Sequence, residues 1–340
     1  MYTEFFGLSD APFQLTPDPR FFFESSVHRR AMAHLIFGIE QSEGFIVITG
    51  EVGAGKTTIL DRLLANLDPS AFISAKIVST HLQGDDMIRA VAAALNVPLR
   101  DTDKATLLHR IENFLVTNYM RGLRTLLLVD EAQNIPPQAL EELRMLSNFQ
   151  VGTRVPLQSI LMAQPQFRRT LANPDLEQFR QRIVASYHLG AMGATETREY
   201  IRHRLTTVGW ANDPKITDEA FADIFENTRG VPRKINTLCT RLLLLCFLDE
   251  LHCADRDAVR TVVEEMNRDA NLITDFTGSQ PSAGLMHPPP HGSGLEGGID
   301  SGFGARLEKL EQTVAKHSKT VHFFSMFVEQ NLFKGGSDDS

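Results

Sequence analysis

The sequence predicts an α/β fold in which a parallel sheet is flanked by helices and followed by a small all-helical domain. Three observations carry this expectation. Between Phe45 and about Leu189, short β-type runs alternate with amphipathic stretches of about 10–15 residues, the pattern of strand–helix–strand units. From Thr195 to about Asp269 the strand signal fades and helical patterns succeed one another. A glycine-rich turn, Gly50 to Thr57, joins the first apolar run to the helical stretch after it.

In order along the chain, Phe45–Thr49 (FIVIT) is apolar throughout, as a strand buried on both faces must be. Phe72–Ser79, Thr125–Val129 and Leu157–Met162 read as further strands, with helices expected at Lys56–Leu67, Asp85–Leu95, Lys104–Tyr119 and Pro137–Phe149. Helices at Glu196–Val208 and Thr217–Thr228 come next, the second opened by Thr217-Asp218-Glu219, a hydroxyl cap with carboxylates in the first turn. Asn271 to Phe303 then holds seven Gly and four Pro, too many to pack a core, and reads as a flexible linker. Beyond it, Leu307, Leu310, Val314, His317, Val321, Phe324 and Val328 alternate by three and four, the spacing of an amphipathic helix that docks on a partner or on copies of itself. The expected organisation is an α/β domain over 1–192, a helical domain over 193–269, a linker over 270–303 and a terminal helix over 304–334.

Composition narrows the class. With 42 % hydrophobic and 22 % charged residues in 340, the chain has the balance of a globular protein. Its longest apolar run, Leu242 to Leu248, falls far short of the ~18–20 residues a membrane span requires, so no integral membrane segment is expected. The opening MYTEFFGLSDAPF has no basic segment followed by an apolar one and does not read as a secretory signal. A net charge of −8, from 34 basic and 42 acidic residues, provides no global positive field and argues against nucleic acid as a partner. The three cysteines, Cys239, Cys246 and Cys253, have no His or further Cys at metal-finger spacing and read as buried reduced thiols beside Leu242 to Leu245, which points to the cytoplasm.

Chemistry concentrates in two motifs. Gly50-Glu51-Val52-Gly53-Ala54-Gly55-Lys56-Thr57 fits G-x-x-x-x-G-K-[ST] between an apolar strand and the helical TTILDRLLANL, which begins with Thr57 and Thr58. Glycines there let backbone N–H groups turn inward around phosphate oxygens, and the succeeding helix adds its positive N-terminal end. Lys56 would reach the β- and γ-phosphates of a nucleotide such as ATP, and the Thr57 hydroxyl would coordinate Mg2+. The second motif is Asp130-Glu131 after the apolar Leu126-Leu127-Leu128-Val129, at the strand end where ligands of open α/β sheets bind. Asp130 would hold Mg2+ through water, and Glu131 would orient and deprotonate an attacking water. Glu141 and Glu142 on the next helix read as an exposed face.

Together with FFGLSDAPFQLTPDPRFFF, LLLVDEAQNIPPQALEELRMLSNFQ, LEQFRQRIVASYHLG and GVPRKINTLCTRLLL, these motifs resemble the AAA+ ATPases of the GspA/ExeA secretion class, most of all the secretion ATPases that accompany XrtA/PEP-CTERM exosortase loci. The resemblance runs over about residues 1–268. It implies a P-loop AAA+ fold with a helical lid, ATP hydrolysis with Mg2+, and a ring-like, nucleotide-dependent homo-oligomer. It also implies export or exopolysaccharide proteins as partners, at the inner membrane only through those partners. By position it makes Gln164 the sensor near the γ-phosphate and Arg233 the lid arginine reaching the nucleotide. It makes Arg182 the arginine lent to a neighbouring subunit, with Arg180 the competing choice. It lets Pro17 to Phe23 fold back beside the glycine-rich loop as a wall of the base pocket, although these aromatics fit a plain core equally well. The alternative function is a DNA-associated AAA+ regulator of the transposition or initiator type.

Overall fold

The computed structural model describes residues 1–16, 18–78, 84–99 and 103–278. The greater part of the expected linker and all of the terminal helix at 304–334 lie outside them. In chain order the elements are α1 (Tyr2–Phe5), α2 (Ser26–Gln41), β1 (Phe45–Gly50), α3 (Lys56–Asn66), β2 (Phe72–Val78), α4 (Gly84–Ala94), α5 (Lys104–Met120), β3 (Arg124–Asp130) and α6 (Pro137–Leu146). Then come β4 (Leu157–Ala163), α7 (Phe167–Leu171), α8 (Glu177–Arg180), β5 (Ile183–Leu189), α9 (Ala194–Thr207), β6 (Lys215–Ile216), α10 (Asp218–Thr228), α11 (Pro232–Leu248), β7 (Cys253–Ala254) and α12 (Arg256–Gly278).

Five strands form one sheet in the order β2-β3-β4-β1-β5, every neighbouring pair parallel. The central strands alternate their side chains between two cores, which is why they read as unbroken apolar runs. Val47, Leu127, Val129 and Leu161 pack under α4, α5 and α6. Ile46, Ile48, Leu126, Leu128, Ile160 and Met162 pack under α2 and α3. Each such side chain removed from water contributes about 1.5–3 kcal/mol. Helix entry is set by side-chain caps: the Ser25 hydroxyl accepts from the His28 N–H, the Asp103 carboxylate from Thr106 and the Thr217 hydroxyl from Ala220.

A third core belongs to α9–α12, built on Ile201, Leu205, Ile224, Ile235, Leu242, Val259 and Val262. The structure departs from the sequence expectations at several points. Phe6, Leu8, Phe13 and Phe21 insert into this helical core, so the first residues of the chain pack with the helical region and not with the α/β unit of the expected 1–192 domain. Their aromatic density needs a deep apolar partner, and α9 and α11 supply it. The helical region also carries a short parallel pair, β6 with β7, too brief to leave a periodic signal. The helix α12 runs on to Gly278, past the expected boundary at 269, because the first glycine of the expected linker is Gly278 and its first proline Pro281. Finally, Cys239 and Cys246 are buried but Cys253 is exposed. Burial pushes the Cys246 thiol up to about 11 and raises Cys239 as well, which keeps both thiols unreactive. Among the described residues no helix is long and apolar enough to cross a membrane, and no cluster of His, Cys, Asp and Glu could hold a metal ion by itself.

Candidate functional site

The strand order brings the C-terminal ends of β1, β3 and β4 side by side, and the segments leaving those three ends build the site. After β1 the chain turns tightly through Gly50–Gly55 into α3. Gly55 sits at φ +94°, where a Cβ would come within 2.6 Å of His28 Nε2; at Gly50 a Cβ would lie 2.8 Å from the Leu189 carbonyl oxygen. Side chains are therefore excluded from the loop at these two positions, and the Ala54 N–H closes the turn on the Glu51 carbonyl at 3.1 Å. Lys56 is 7 % exposed, and its Nζ donates to the Gly50 and Glu51 carbonyls at 2.8 and 3.1 Å. Burial holds its ammonium below the ordinary lysine value, opposed by the carboxylates of Glu131, Asp130 and Glu51. Ala54 is buried, Val52 is half exposed, and Thr58 faces the same cavity as Val52.

After β3, Asp130 bridges the two motifs. Its Oδ2 accepts from Thr57 Oγ1 at 3.2 Å, and its Oδ1 accepts from the Glu131 N–H at 2.9 Å. Two hard oxygen ligands, one in the first turn of α3 and one at the end of β3, are the donor set a magnesium ion takes from protein. Glu131 adopts φ 53°, ψ 38°, a left-handed conformation that costs a non-glycine residue about 1–3 kcal/mol and clusters at functional sites. After β4, Gln164 Nε2 donates to Glu131 Oε2 at 3.2 Å, and the Gln164 N–H donates to Gln133 Oε1 at 2.9 Å. Gln133, which the sequence motifs did not single out, donates its own Nε2 to Glu131 Oε2. Its position two residues after the glutamate was the available signal.

The helical region closes the site. The N–H of Arg233, at the start of α11, donates to the Gly53 carbonyl at 3.2 Å, and its side chain covers the face of Gly53 that a Cβ would occupy. The cavity so enclosed measures about 370 Å³ and is lined by Lys56, Thr57, Glu131, Phe22, Tyr200 and Arg233 among others. Phe21, Phe22 and Phe23 all line it, while Phe21 is 3 % exposed and belongs to the helical core as well. These aromatics are cavity wall and core at once. Arg204 is buried and donates to the Pro12 and Gln14 carbonyls and to Tyr200 Oη, which in turn donates to Asn236 Oδ1 at 2.8 Å. The same network thus fixes residues 12–14 to α9 and α11. His28 Nδ1 lies 2.6 Å from Ser25 Oγ, and the ring also bonds the Ala54 backbone. Neither His28 nor this network was visible in the sequence.

Arg180 and Arg182 lie elsewhere. The Arg182 carbonyl accepts from the Phe45 N–H at 2.8 Å, which puts Arg182 at the N-terminal end of β1. With six residues in β1 at about 3.3 Å each, that is roughly 20 Å from the glycine-rich loop. Arg180 Nη1 donates to the Leu171 and Asn173 carbonyls at 2.6 and 2.8 Å, and its Nη2 pairs with Glu177. Arg182 uses Nη1 alone among the described residues, toward the Ser147 carbonyl and hydroxyl.

Comparison with known proteins agrees with this geometry. Residues 39–171 match the family described as AAA domain. General secretion pathway protein A of Aeromonas hydrophila is 37 % identical over 253 residues, covering 74 % of this chain and 46 % of the relative, so the chain spans about half the length of that protein. Among solved structures, Cdc6p from Pyrobaculum aerophilum superposes with a TM-score of 0.60 at 15 % identity over 75 % of this chain and 70 % of its own. Drosophila ORC bound to DNA gives 0.56 at 16 % identity over 77 % and 66 %. At such identities these two speak to fold alone. The chain thus carries an AAA domain in the P-loop AAA fold, similar in sequence to general secretion pathway protein A.

Proposed function

We propose that this protein binds ATP with Mg2+ and hydrolyses it to ADP and phosphate, as an oligomeric motor or switch. The observation that carries the reading is the convergence on one cavity of Lys56, of Thr57 bonded to Asp130 behind it, and of Glu131 held by Gln164. Lys56 would exchange its two loop carbonyls for β- and γ-phosphate oxygens, helped by the inward N–H groups of residues 51–58 and the start of α3. Thr57 and Asp130 would hold Mg2+, which when bound neutralises charge on those phosphates. Glu131 would take a proton from water as its oxygen attacks the γ-phosphorus and the bond to the bridging oxygen breaks. Gln164 would align the carboxylate, and Arg233 would tie the helical lid to the nucleotide.

An arginine about 20 Å from its own loop, by the strand rise, cannot act there. Arg182 would therefore act on a neighbouring subunit's nucleotide, and its Nη2, unengaged among the described residues, supports it over Arg180. Supplied in trans, it makes hydrolysis depend on assembly into a ring-like homo-oligomer. Sequence likeness to general secretion pathway protein A supports a role in envelope export from the cytoplasmic side of the inner membrane, and the motif resemblance alone makes its cargo exopolysaccharide and PEP-CTERM proteins.

Steady-state phosphate release with Mg2+ and ATP tests the reaction: the wild type should turn over, Lys56→Ala should lose nucleotide binding, and Glu131→Gln should bind without turnover. Affinity capture of Glu131→Gln from its own cells tests the process, with export components expected. Retention on DNA at physiological salt would instead favour the DNA-associated regulator.

A further inference from the structure

We infer that Gln133 is a positioning residue that clamps the Glu131 carboxylate and couples it to the end of β4. The inference rests on the ATPase reading above. Gln133 spans a gap between two elements with both ends of one amide: its Nε2 donates to Glu131 Oε2, and its Oε1 accepts from the Gln164 N–H at 2.9 Å. Gln164 Nε2 donates to the same Glu131 oxygen at 3.2 Å, and Gln166 Nε2 donates back to Gln164 Oε1 at 3.1 Å. Both amide donors thus converge on Oε2. Oε1 accepts no hydrogen bond among the described residues, which leaves it as the oxygen free to take a proton from water. The backbone makes such a clamp necessary. Glu131 leaves β3 in a left-handed conformation, and its N–H is anchored on Asp130 Oδ1, so the carboxylate's direction rests on side-chain amides.

The coupling has a consequence for mechanism. A shift of the Gln164 backbone moves the donor that orients the Gln133 amide, and that amide carries the base with it. The base and the sensor at the end of β4 therefore move together, whereas the Lys56 ammonium, bonded to the Gly50 and Glu51 carbonyls, stands outside this chain of hydrogen bonds.

The test is Mg2+-ATP turnover together with equilibrium binding of a fluorescent ATP analogue, in the full chain. Gln133→Leu removes both bonds at similar size, and Gln133→Glu turns the donor into a carboxylate facing Glu131. Both variants should bind nucleotide within about twofold of the wild type while kcat falls about 10–100-fold, the scale of a base misplaced by an ångström, with KM little changed. Gln133→Glu should be the slower of the two. In the Glu131→Gln background, Gln133→Leu should cost nothing further, because the two residues act as a unit. A wild-type kcat in either single variant, an additive loss in the double variant, or parallel loss of nucleotide affinity and melting temperature would overturn the inference while leaving the ATPase reading intact. Absence of turnover in the wild type with ATP bound would overturn both.

Discussion

The two ends of the parallel sheet carry polar clusters of opposite character. At the C-terminal ends of β1, β3 and β4, charged and amide groups face each other: Thr57 meets Asp130, and Gln133 and Gln164 meet Glu131. At the N-terminal ends, Arg180 and Arg182 bond chiefly to backbone carbonyls at the close of α6 and α7. The first cluster is assembled from the segments that leave three strand ends. The second has arginines and, among the described residues, no anion for them beyond Glu177. On the ATPase reading, their difference teaches that the reaction centre is complete within the chain except for one cation, and that this cation has to come from another subunit.

Breaking the comparison at its far end should have the largest effect. Arg182→Ala should bind ATP as the wild type does and lose about 10³–10⁵ in turnover, the range for arginines supplied in trans; binding titrations run beside phosphate release check it. At the near end, Glu131→Gln should lose about 10²–10⁴ in turnover with binding intact, because the carboxylate acts on water and not on nucleotide. Arg180→Ala sharpens the contrast. It should keep turnover per assembled subunit and lower the denaturation midpoint by the equivalent of about 1–3 kcal/mol, through the orphaned Leu171 and Asn173 carbonyls.

How much of this could be read from the sequence depends on how local each signal was. The strand β1, the loop and Lys56–Thr57 are contiguous, and the apolar run into Asp130 is equally self-contained; both stand where their patterns implied. The edge strand β5 was not among the expected strands. In its IVASYHL, buried Ala185 and Leu189 alternate with exposed Ser186 and His188, so it lacks the unbroken apolar run that marked β1 and β3. His28 and Arg204 were invisible, and Gln133 offered only its place two residues after Glu131, for a different reason. Each owes its role to a partner many residues away, as with Arg204 and the Pro12 carbonyl, and a single polar letter carries no record of such a partner. The packing of Phe6 and Phe13 against α9 and α11 is hidden in the same way.

The smallest expected effect concerns pH and the loop's support. Burial holds the His28 imidazole below its ordinary value, against weaker opposing contributions from the Ala54 backbone and from Glu196 and Glu24. As pH falls, the unfolded chain takes up this proton first, near its unperturbed value of about 6.5. The stability linked to His28 is therefore fully present above that pH and is lost on acidification toward the lower folded value. A His28→Asn variant should show a shallower fall in melting temperature between about pH 7 and 5 than the wild type.

The division of labour between the two sheet ends is tested most directly by mixing. Lys56→Ala protein should lose nucleotide binding but still carries Arg182; Arg182→Ala protein should bind nucleotide but lacks the arginine. Each alone should show almost no phosphate release, and a mixture should regain turnover that rises with the fraction of mixed assemblies. A mixture as inactive as its components would contradict the account, and Arg182→Ala fully active by itself would return the whole reaction to a single chain.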